Sequence, residues 1–359
     1  VDHLADLYGG EGPVATWIGW GLQRRASGGR NVRCIDALAA MSGNVGRPGG
    51  GVSFTSTRKR GLDQSFITSP SGRTIDTPLL GRQLRELDDP RPRFCWVSGA
   101  NPVTQLPDSR AVAQALSSVD FTVVVDAFFT DTAEVADVVL PVKLMLEEED
   151  IVGSYQHHHV AVVRGVCEAP EGTRSDLEIL AELNRRLGKP AGDLLEDPKA
   201  AIRRMTQPWF EGEEPSVRRN PIQKAVPFVE RFERPNGRAL LITELPDPVP
   251  GGDDDYPLVM MSPSCAAWQT SQRYESDQQG KLAKCRVHPE VVGLSRAVVD
   301  GDRAWLESPI GAMKVVLDLD ERLDRRACVV PRGGWVRHGQ GVNLLIEAKA
   351  TDLGCGTVY

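Results

Sequence analysis

Residues 94–125 constrain the fold of this chain more than any other stretch. Phe94 to Ser98 reads as a strand, and 108–117 reads as a helix with Ala111, Val112, Ala115 and Leu116 on one face. Phe121 to Val125 is an uninterrupted, mainly β-branched run, and so a second strand. Strands joined by a helix of this length pair in parallel through a right-handed crossover. Val135 to Leu140 adds a further short strand, stopped by Pro141. At least part of the chain is therefore α/β.

The rest divides around this unit. Residues 14–20 read as a buried strand ending at Gly19 and Gly21, and 31–42 as a helix built on Val32, Ile35, Leu38, Ala39 and Met41. The Gly/Pro-rich segment 43–52 stops that helix. Residues 53–92 are polar, a connecting segment with one helix near 79–87. A helix over 175–187 carries Ser175 as N-cap, Glu178 three positions on and Gly188 at its end, which is a capping box closed by a glycine. Residues 189–255 are rich in Pro, Glu and Asp, and Gly251-Gly252-Asp253-Asp254-Asp255 marks a boundary. Beyond it the apolar period changes from 3.6 to 2. Tyr256 to Met261, Arg303 to Glu307, Ala312 to Leu317 and Cys328 to Val330 are short strands between turn signals, a small β-barrel.

Composition excludes several classes. A net charge of −7 argues against a nucleic-acid surface, and the basic run Arg58-Lys59-Arg60 reads as a solvated loop. No apolar run approaches the roughly 20 residues a membrane span needs. Residue 1 is Val and no signal peptide follows it, so a processed chain or a fragment is expected. The seven cysteines include no Cys-x-x-Cys pair, which speaks against a local metal cluster or a disulfide framework and for a reducing compartment.

Generic nucleotide motifs fail. Gly19-Trp20-Gly21 opens like a dinucleotide fingerprint, but Arg24 stands where the third glycine belongs. Gly46 and Gly51 have phosphate-loop spacing, but Val52 stands where lysine is required. Consecutive strand residues point to opposite faces, so His157-His158-His159 does not close readily on one ion. Glu147-Glu148-Glu149-Asp150 reads as a solvated acidic turn. More telling is Asn101, in Gly99-Ala100-Asn101-Pro102 directly after a strand, because open α/β sheets bind ligands at strand carboxyl ends. The other reading of that segment is a plain Asn-Pro turn. Asp126 ends the next strand and should face the same crevice. Its carboxylate could accept two adjacent N–H groups, as on a guanine edge or ribose diol. Asp176 could do the same, or could simply answer the helix dipole from the first turn.

Five motifs run in a fixed order: Trp17 to Gln23, Gly43-Asn44-Val45-Gly46-Arg47-Pro48-Gly49-Gly50-Gly51, Gly99-Ala100-Asn101-Pro102, Ala136-Asp137-Val138-Val139-Leu140-Pro141, and Gly341-Val342-Asn343 leading to Thr351-Asp352-Leu353-Gly354. Together they resemble the C-terminal half of molybdopterin oxidoreductase catalytic subunits, the family of dimethyl sulfoxide reductase and formate dehydrogenase. The resemblance implies Rossmann-like parallel sheet segments followed by a six-stranded, double-psi type β-barrel. It implies the end of a Rossmann-like cofactor domain over 1–52, a linker over 53–92, half of a second α/β domain with an extended connection over 93–250, and the pterin-dinucleotide-binding barrel over 251–359.

It also implies roles. Gly19 and Gln23 would touch a pterin, Asn101, Val125 and Asp126 are second-domain contacts, and Asp176 a guanine-recognising acid. The barrel segment Ser262, Pro263, Ser264, Cys265, Trp268, Gln269, Thr270 and Ser271 would run along the cofactor, with Trp335 and Asn343 as the last contacts. Glu148 occupies a site where some members carry a lysine, a departure that points away from the nitrate reductase branch. The cofactor implied is molybdopterin guanine dinucleotide with molybdenum or tungsten. A [4Fe-4S] cluster and the metal ligand would belong to an N-terminal half, so no catalytic or metal-ligating residue is expected here. Implied partners are that half, an iron–sulfur electron-transfer subunit and a small-molecule substrate, in cytoplasm or periplasm. The alternatives are a non-catalytic scaffold subunit of a redox complex without the pterin, and a separate small-molecule-binding subunit.

Overall fold

The computed structural model describes residues 1–54, 62–63, 65, 72–154, 157, 159–189, 197–210, 217–219, 226–245, 252–293 and 298–358. The basic run Arg58-Lys59-Arg60, His158 and Gly251 lie outside them. In chain order the helices are α1 (Asp2–Gly9), α2 (Gly28–Met41), α3 (Leu80–Glu86), α4 (Pro102–Gln105), α5 (Ser109–Ser117), α6 (Asp176–Arg186) and α7 (Pro198–Phe210). The strands are β1 (Ala15–Trp17), β2 (Gly51–Ser53), β3 (Phe94–Ser98), β4 (Phe121–Asp126), β5 (Val138–Pro141), β6 (Asp150–Gly153), β7 (His159–Val163), β8 (Val217–Arg219), β9 (Val259–Met261), β10 (Ala283–Val287), β11 (Arg303–Ser308), β12 (Gly311–Leu319) and β13 (Ala327–Val329). The chain forms two compact units. One comprises Val1–Gly19, Ile35–Arg73 and Leu140–Leu241, the other Trp20–Cys34, Thr74–Val139 and Ile242–Tyr359.

In the first unit β1 pairs in parallel with β2, Ala15 opposite Gly51. The glycine-rich run between α2 and β2 is a turn set by close approach. Asn44 is buried, its Oδ1 accepts the Val14 N–H at 2.7 Å, and its Nδ2 donates to Ser42 Oγ at 2.8 Å. A Cβ on Gly50 would stand 2.4 Å from the Asn44 carbonyl oxygen, so a side chain there is excluded. Strands β6, β7 and β8 form an antiparallel sheet. Asp150 belongs to its first strand rather than to an acidic turn, because Ile151 and Val152 extend the strand pattern beyond it. Helix α6 starts as predicted: Ser175 Oγ accepts the Glu178 N–H at 3.1 Å, and Glu178 accepts the Ser175 N–H at 2.8 Å.

The second unit holds the crossover. Strands β3, β4 and β5 lie in that order, with β3 and β4 parallel and Ser98 opposite Val125. Between them α5 turns Val112, Ala115 and Leu116 into a core shared with Leu84 of α3 and Val103. The C-terminal region forms one mixed five-stranded sheet in the order β11-β12-β10-β13-β9. Its core face presents Ala283, Cys285 and Val287 of β10, Val315 and Leu317 of β12, and Cys328 of β13. The described residues supply five strands of this sheet, against the six expected. Its central strand β10 is Ala-Lys-Cys-Arg-Val, short enough to be passed over in the sequence although it alternates buried and exposed. Among the described residues no helix is long and apolar enough to cross a membrane.

Candidate functional site

The turn after β3 is a knot of buried polar groups. Asn101 is 3% exposed. Its Oδ1 accepts from the Thr132 N–H at 3.2 Å and the Thr132 hydroxyl at 2.6 Å, and its Nδ2 donates to Thr104 Oγ1 at 3.0 Å. Both ends of the amide are thus engaged inside the protein. The geometry makes Asn101 the holder of this turn, and its side chain spends its hydrogen bonds on the fold rather than on open space. The Thr104 hydroxyl donates on to Asp131 Oδ2 at 2.6 Å. Asp131, itself buried, also accepts the N–H groups of Val336 at 2.6 Å and Arg337 at 3.2 Å. One carboxylate therefore ties the strand-end turns of the α/β sheet to the segment that follows β13.

That segment and the loop after β9 are locked together. Trp335 is buried, its Nε1 donates to the Ser271 carbonyl at 3.0 Å, and its N–H donates to Gln278 Oε1 at 2.7 Å. Gln105 Nε2 donates to Ser271 Oγ at 3.1 Å. Trp268 Nε1 donates to the Arg332 carbonyl at 2.9 Å, and the Arg273 guanidinium lies 3.9 Å over its ring. The Pro263 carbonyl accepts the Arg332 N–H at 3.1 Å, and Ser264 Oγ accepts from Arg332 Nη2 at 2.6 Å. Cys265 Sγ accepts the Ala267 N–H, and the Gln269 carbonyl accepts the Gln272 N–H at 2.9 Å. Thr270 sits at φ +47°, a left-handed conformation rare for a β-branched residue. Gly333 lets the backbone come this close, since a Cβ there would lie 1.6 Å from the Thr270 carbonyl oxygen.

Asn343 is 3% exposed and donates through Nδ2 to the Thr104 carbonyl at 2.6 Å, while its Oδ1 is buried with no partner among the described residues. Among the described residues Ser262 Oγ and Arg273 Nε are buried without partners as well. Buried polar atoms of this kind are rare because each costs desolvation. Asp126 ends β4 half-buried, accepting the Phe128 N–H at 3.0 Å, and burial pushes its carboxyl above the usual range. Val125 is fully buried and its carbonyl accepts the Gly99 N–H at 3.4 Å.

Gln23 lies on a half-buried turn, Leu22–Arg24, immediately before α2. Asp352 caps that helix: its two oxygens accept the N–H groups of Gly29 at 2.8 Å and Arg30 at 3.1 Å. The Thr351-Asp352-Leu353-Gly354 motif thus holds the chain just beyond Gln23. Gly19 and Asp176 belong to the other unit. Open space surrounds the Cα of Gly19, and Asp176 opens α6. In that unit burial, followed by the charges of Asp150 and Asp176, raises the Glu148 carboxyl, and Lys143 pairs with Glu178 at 2.8 Å. His157 and His159 make an edge contact at 5.4 Å.

Sequence reasoning missed Thr104, Asp131, Arg273, Gln278 and Gln340. Gln340 accepts from Arg273 Nη1 at 2.9 Å and donates to the Gln278 carbonyl at 2.9 Å. Nothing in the local pattern separates these from surface polar residues. Only Thr130-Asp131-Thr132, three hydrogen-bonding side chains after a strand, carried a signal.

The donor set fits a pterin dinucleotide. Asn343 Oδ1 offers an acceptor, Ser262 Oγ and Arg273 Nε offer donors, and all three are already desolvated. A family model for molybdopterin oxidoreductase matches residues 12–186, and one for the molybdopterin dinucleotide binding domain matches 258–359. The chain belongs to the molybdopterin oxidoreductase family. It is 29% identical over 393 residues to the probable oxidoreductase YyaE of Bacillus subtilis (strain 168), covering 99% of this chain and 58% of that protein. It is 28% identical to the assimilatory nitrate reductase of Haloferax mediterranei, covering 89% of this chain and 52% of that one. The acetylene hydratase from Pelobacter acetylenicus shares the fold with a TM-score of 0.60 at 18% identity, over 77% of this chain and 43% of its own. The chain spans about half the length of the curated relatives it matches.

Proposed function

We propose that this chain is the cofactor-binding C-terminal portion of a molybdenum- or tungsten-dependent oxidoreductase carrying two pterin guanine dinucleotides. The observation that carries the reading is Asn343, whose amide is anchored through its nitrogen while its oxygen waits, buried, for a donor. In this reading Asn343, Ser262 and Arg273 meet the pterin dinucleotide, and the loop 262–271 and Trp335 line it. Asp126 accepts guanine or ribose N–H and O–H groups and Gln23 touches a pterin; in the other unit Asp176 is a guanine-recognising acid and Gly19 a pterin contact. The bound group would supply two-electron chemistry, while these residues orient it and exclude water.

The finer structural proposals follow from the same reading. The five-stranded sheet closes with a further strand as a double-psi barrel over 251–359. Residues 1–52 and 93–250 belong to the Rossmann-like part, and 53–92 connects them. The metal ligand and a [4Fe-4S] cluster reside in an N-terminal half of the same polypeptide, so this chain alone is inactive. Electrons reach the assembled enzyme through an iron–sulfur subunit.

One observation favours a second reading. Both ends of the Asn101 amide are engaged within the protein, as a scaffold without pterin would have it. Pterin and metal content of the purified protein, with and without Asn343→Ala, decides between them. Loss of pterin in the variant supports cofactor binding. Absence of pterin, molybdenum and tungsten from the unaltered protein supports the scaffold.

A further inference from the structure

Two of the seven cysteines have been brought together, on the core face of the C-terminal sheet. Strands β10 and β13 are antiparallel, with Arg286 opposite Val329 and Val287 opposite Cys328. Cys285 is therefore diagonal to Cys328 on the same face. Each is 1% exposed, and both side chains belong to the same core face of the sheet. Both also line a cavity of about 610 Å³, walled by Leu258, Met260 and Val315. The cavity is open to solvent rather than enclosed. Packing alone would favour filling such a space. Instead it leads to a dithiol.

We propose that Cys285 and Cys328 form a modification site that closes to a disulfide on meeting a small uncharged hydroperoxide admitted through this cavity. The roles of the two sulfurs differ. The neighbouring Cys285 holds the Cys328 thiol below its usual range, whereas Cys328 and burial push the Cys285 thiol up. Cys328 is thus the attacking thiolate. Its sulfur bonds to one peroxide oxygen, the O–O bond breaks, and the alcohol or water leaves with a proton, giving a sulfenic acid. Cys285 then attacks that sulfur, the S–O bond breaks, and water leaves with the Cys285 proton. Two thiols and one hydroperoxide give one disulfide, one alcohol or water, and one water. Diagonal neighbours lie about 7–8 Å apart and a disulfide spans at most about 6.8 Å between Cα atoms, so closure needs side-chain rotation and a strand approach on the order of 1 Å.

The bond would join the strands that carry the two halves of the candidate site. β10 follows Gln278, and β13 precedes Arg332 and Trp335. The inference nevertheless stands apart from cofactor binding, because it needs only the two thiols and the cavity.

The test is mild hydrogen peroxide on the native full chain, alkylation of remaining thiols in denaturant, and peptide mass mapping. The expected result is a linked Cys285–Cys328 peptide, lighter by two hydrogens than the reduced pair and lost on reduction with dithiothreitol. In Cys285→Ser, dimedone should label Cys328. Recovery of both residues as alkylated thiols, at a dose that oxidises the exposed Cys167 and Cys355, overturns the proposal. The unaltered protein alone decides this even where the variant fails to fold.

Discussion

Asn343 and Thr104 stand 239 positions apart, and the Asn343 amide donates to the Thr104 carbonyl at 2.6 Å. Because the partner is a carbonyl, the nitrogen end of the amide must face it, which fixes where the oxygen points. Thr104 in turn is held by Asn101 and Asp131. The orientation of one buried oxygen is therefore set by a chain of hydrogen bonds from the strand-end turn of the α/β sheet to the segment that follows β13.

Replacing Asn343 by Ala should have two separable effects. The Thr104 carbonyl loses its partner in a buried site, which costs about 1–3 kcal/mol. Urea denaturation of the apoprotein reads that cost. The pterin content should fall further than the stability loss explains, because the presented oxygen goes too. Asn343→Asp keeps an oxygen but loses the donor, so it should destabilise at least as much.

Asp131 is the strongest structural member of the network. Its carboxylate accepts two backbone N–H groups and the Thr104 hydroxyl. Asp131→Ala leaves those donors unpaired, each costing about 1–3 kcal/mol when buried, with sums that are not additive. We expect a loss of roughly 3 kcal/mol or more, and a smaller loss for Asp131→Asn, which keeps one acceptor oxygen. Equal losses in both variants would show that charge, rather than bond count, matters at this position.

Much of this arrangement was legible in the sequence, and the limits are physical. The β3–α5–β4 crossover and the α6 capping box were readable because each is set by residues close in sequence. The position of Asn343 was readable through resemblance alone. Asp131 and Gln278 were not, since their partners lie 205 and 57 positions away, and a buried polar residue looks like an exposed one until the fold supplies them. Strand β10 was missed for its five-residue length and its two charged positions, which its edges turn outward.

Asp126 should make the apoprotein less stable at neutral pH than it could be. Burial, the largest influence, raises its folded-state carboxyl above 3.8, although the Phe128 and Ala127 N–H groups work against this. A carboxyl raised on folding contributes stability that is fully present below the unfolded value and is lost as pH rises through the folded one. Asp126→Asn keeps an acceptor for Phe128 and carries no charge. It should therefore be more stable than the unaltered chain at pH 7, with the gap narrowing as pH falls toward 4. A variant less stable at pH 7 would mean that the two N–H bonds outweigh desolvation.

Gly333 gives the sharpest test of the loop that follows β9. Its φ is +93°, and a Cβ would fall 1.6 Å from the Thr270 carbonyl oxygen and 2.6 Å from the carbonyl carbon. The clash is with backbone, so no side-chain rotation relieves it. Gly333→Ala must move either residues 262–271 or the turn that leads to Trp335. That movement breaks bonds on both sides, because Trp268 Nε1 reaches the Arg332 carbonyl and Trp335 Nε1 reaches the Ser271 carbonyl. Strain of this kind typically costs about 1–3 kcal/mol per residue. Trp268 and Trp335 provide the readout, since both lose their indole hydrogen bonds together. Tryptophan fluorescence should shift toward the solvent-exposed position while the far-ultraviolet circular dichroism stays near that of the unaltered protein. An unchanged spectrum would show that the loop accommodates the methyl group without release, and that Thr270 is not held by Gly333.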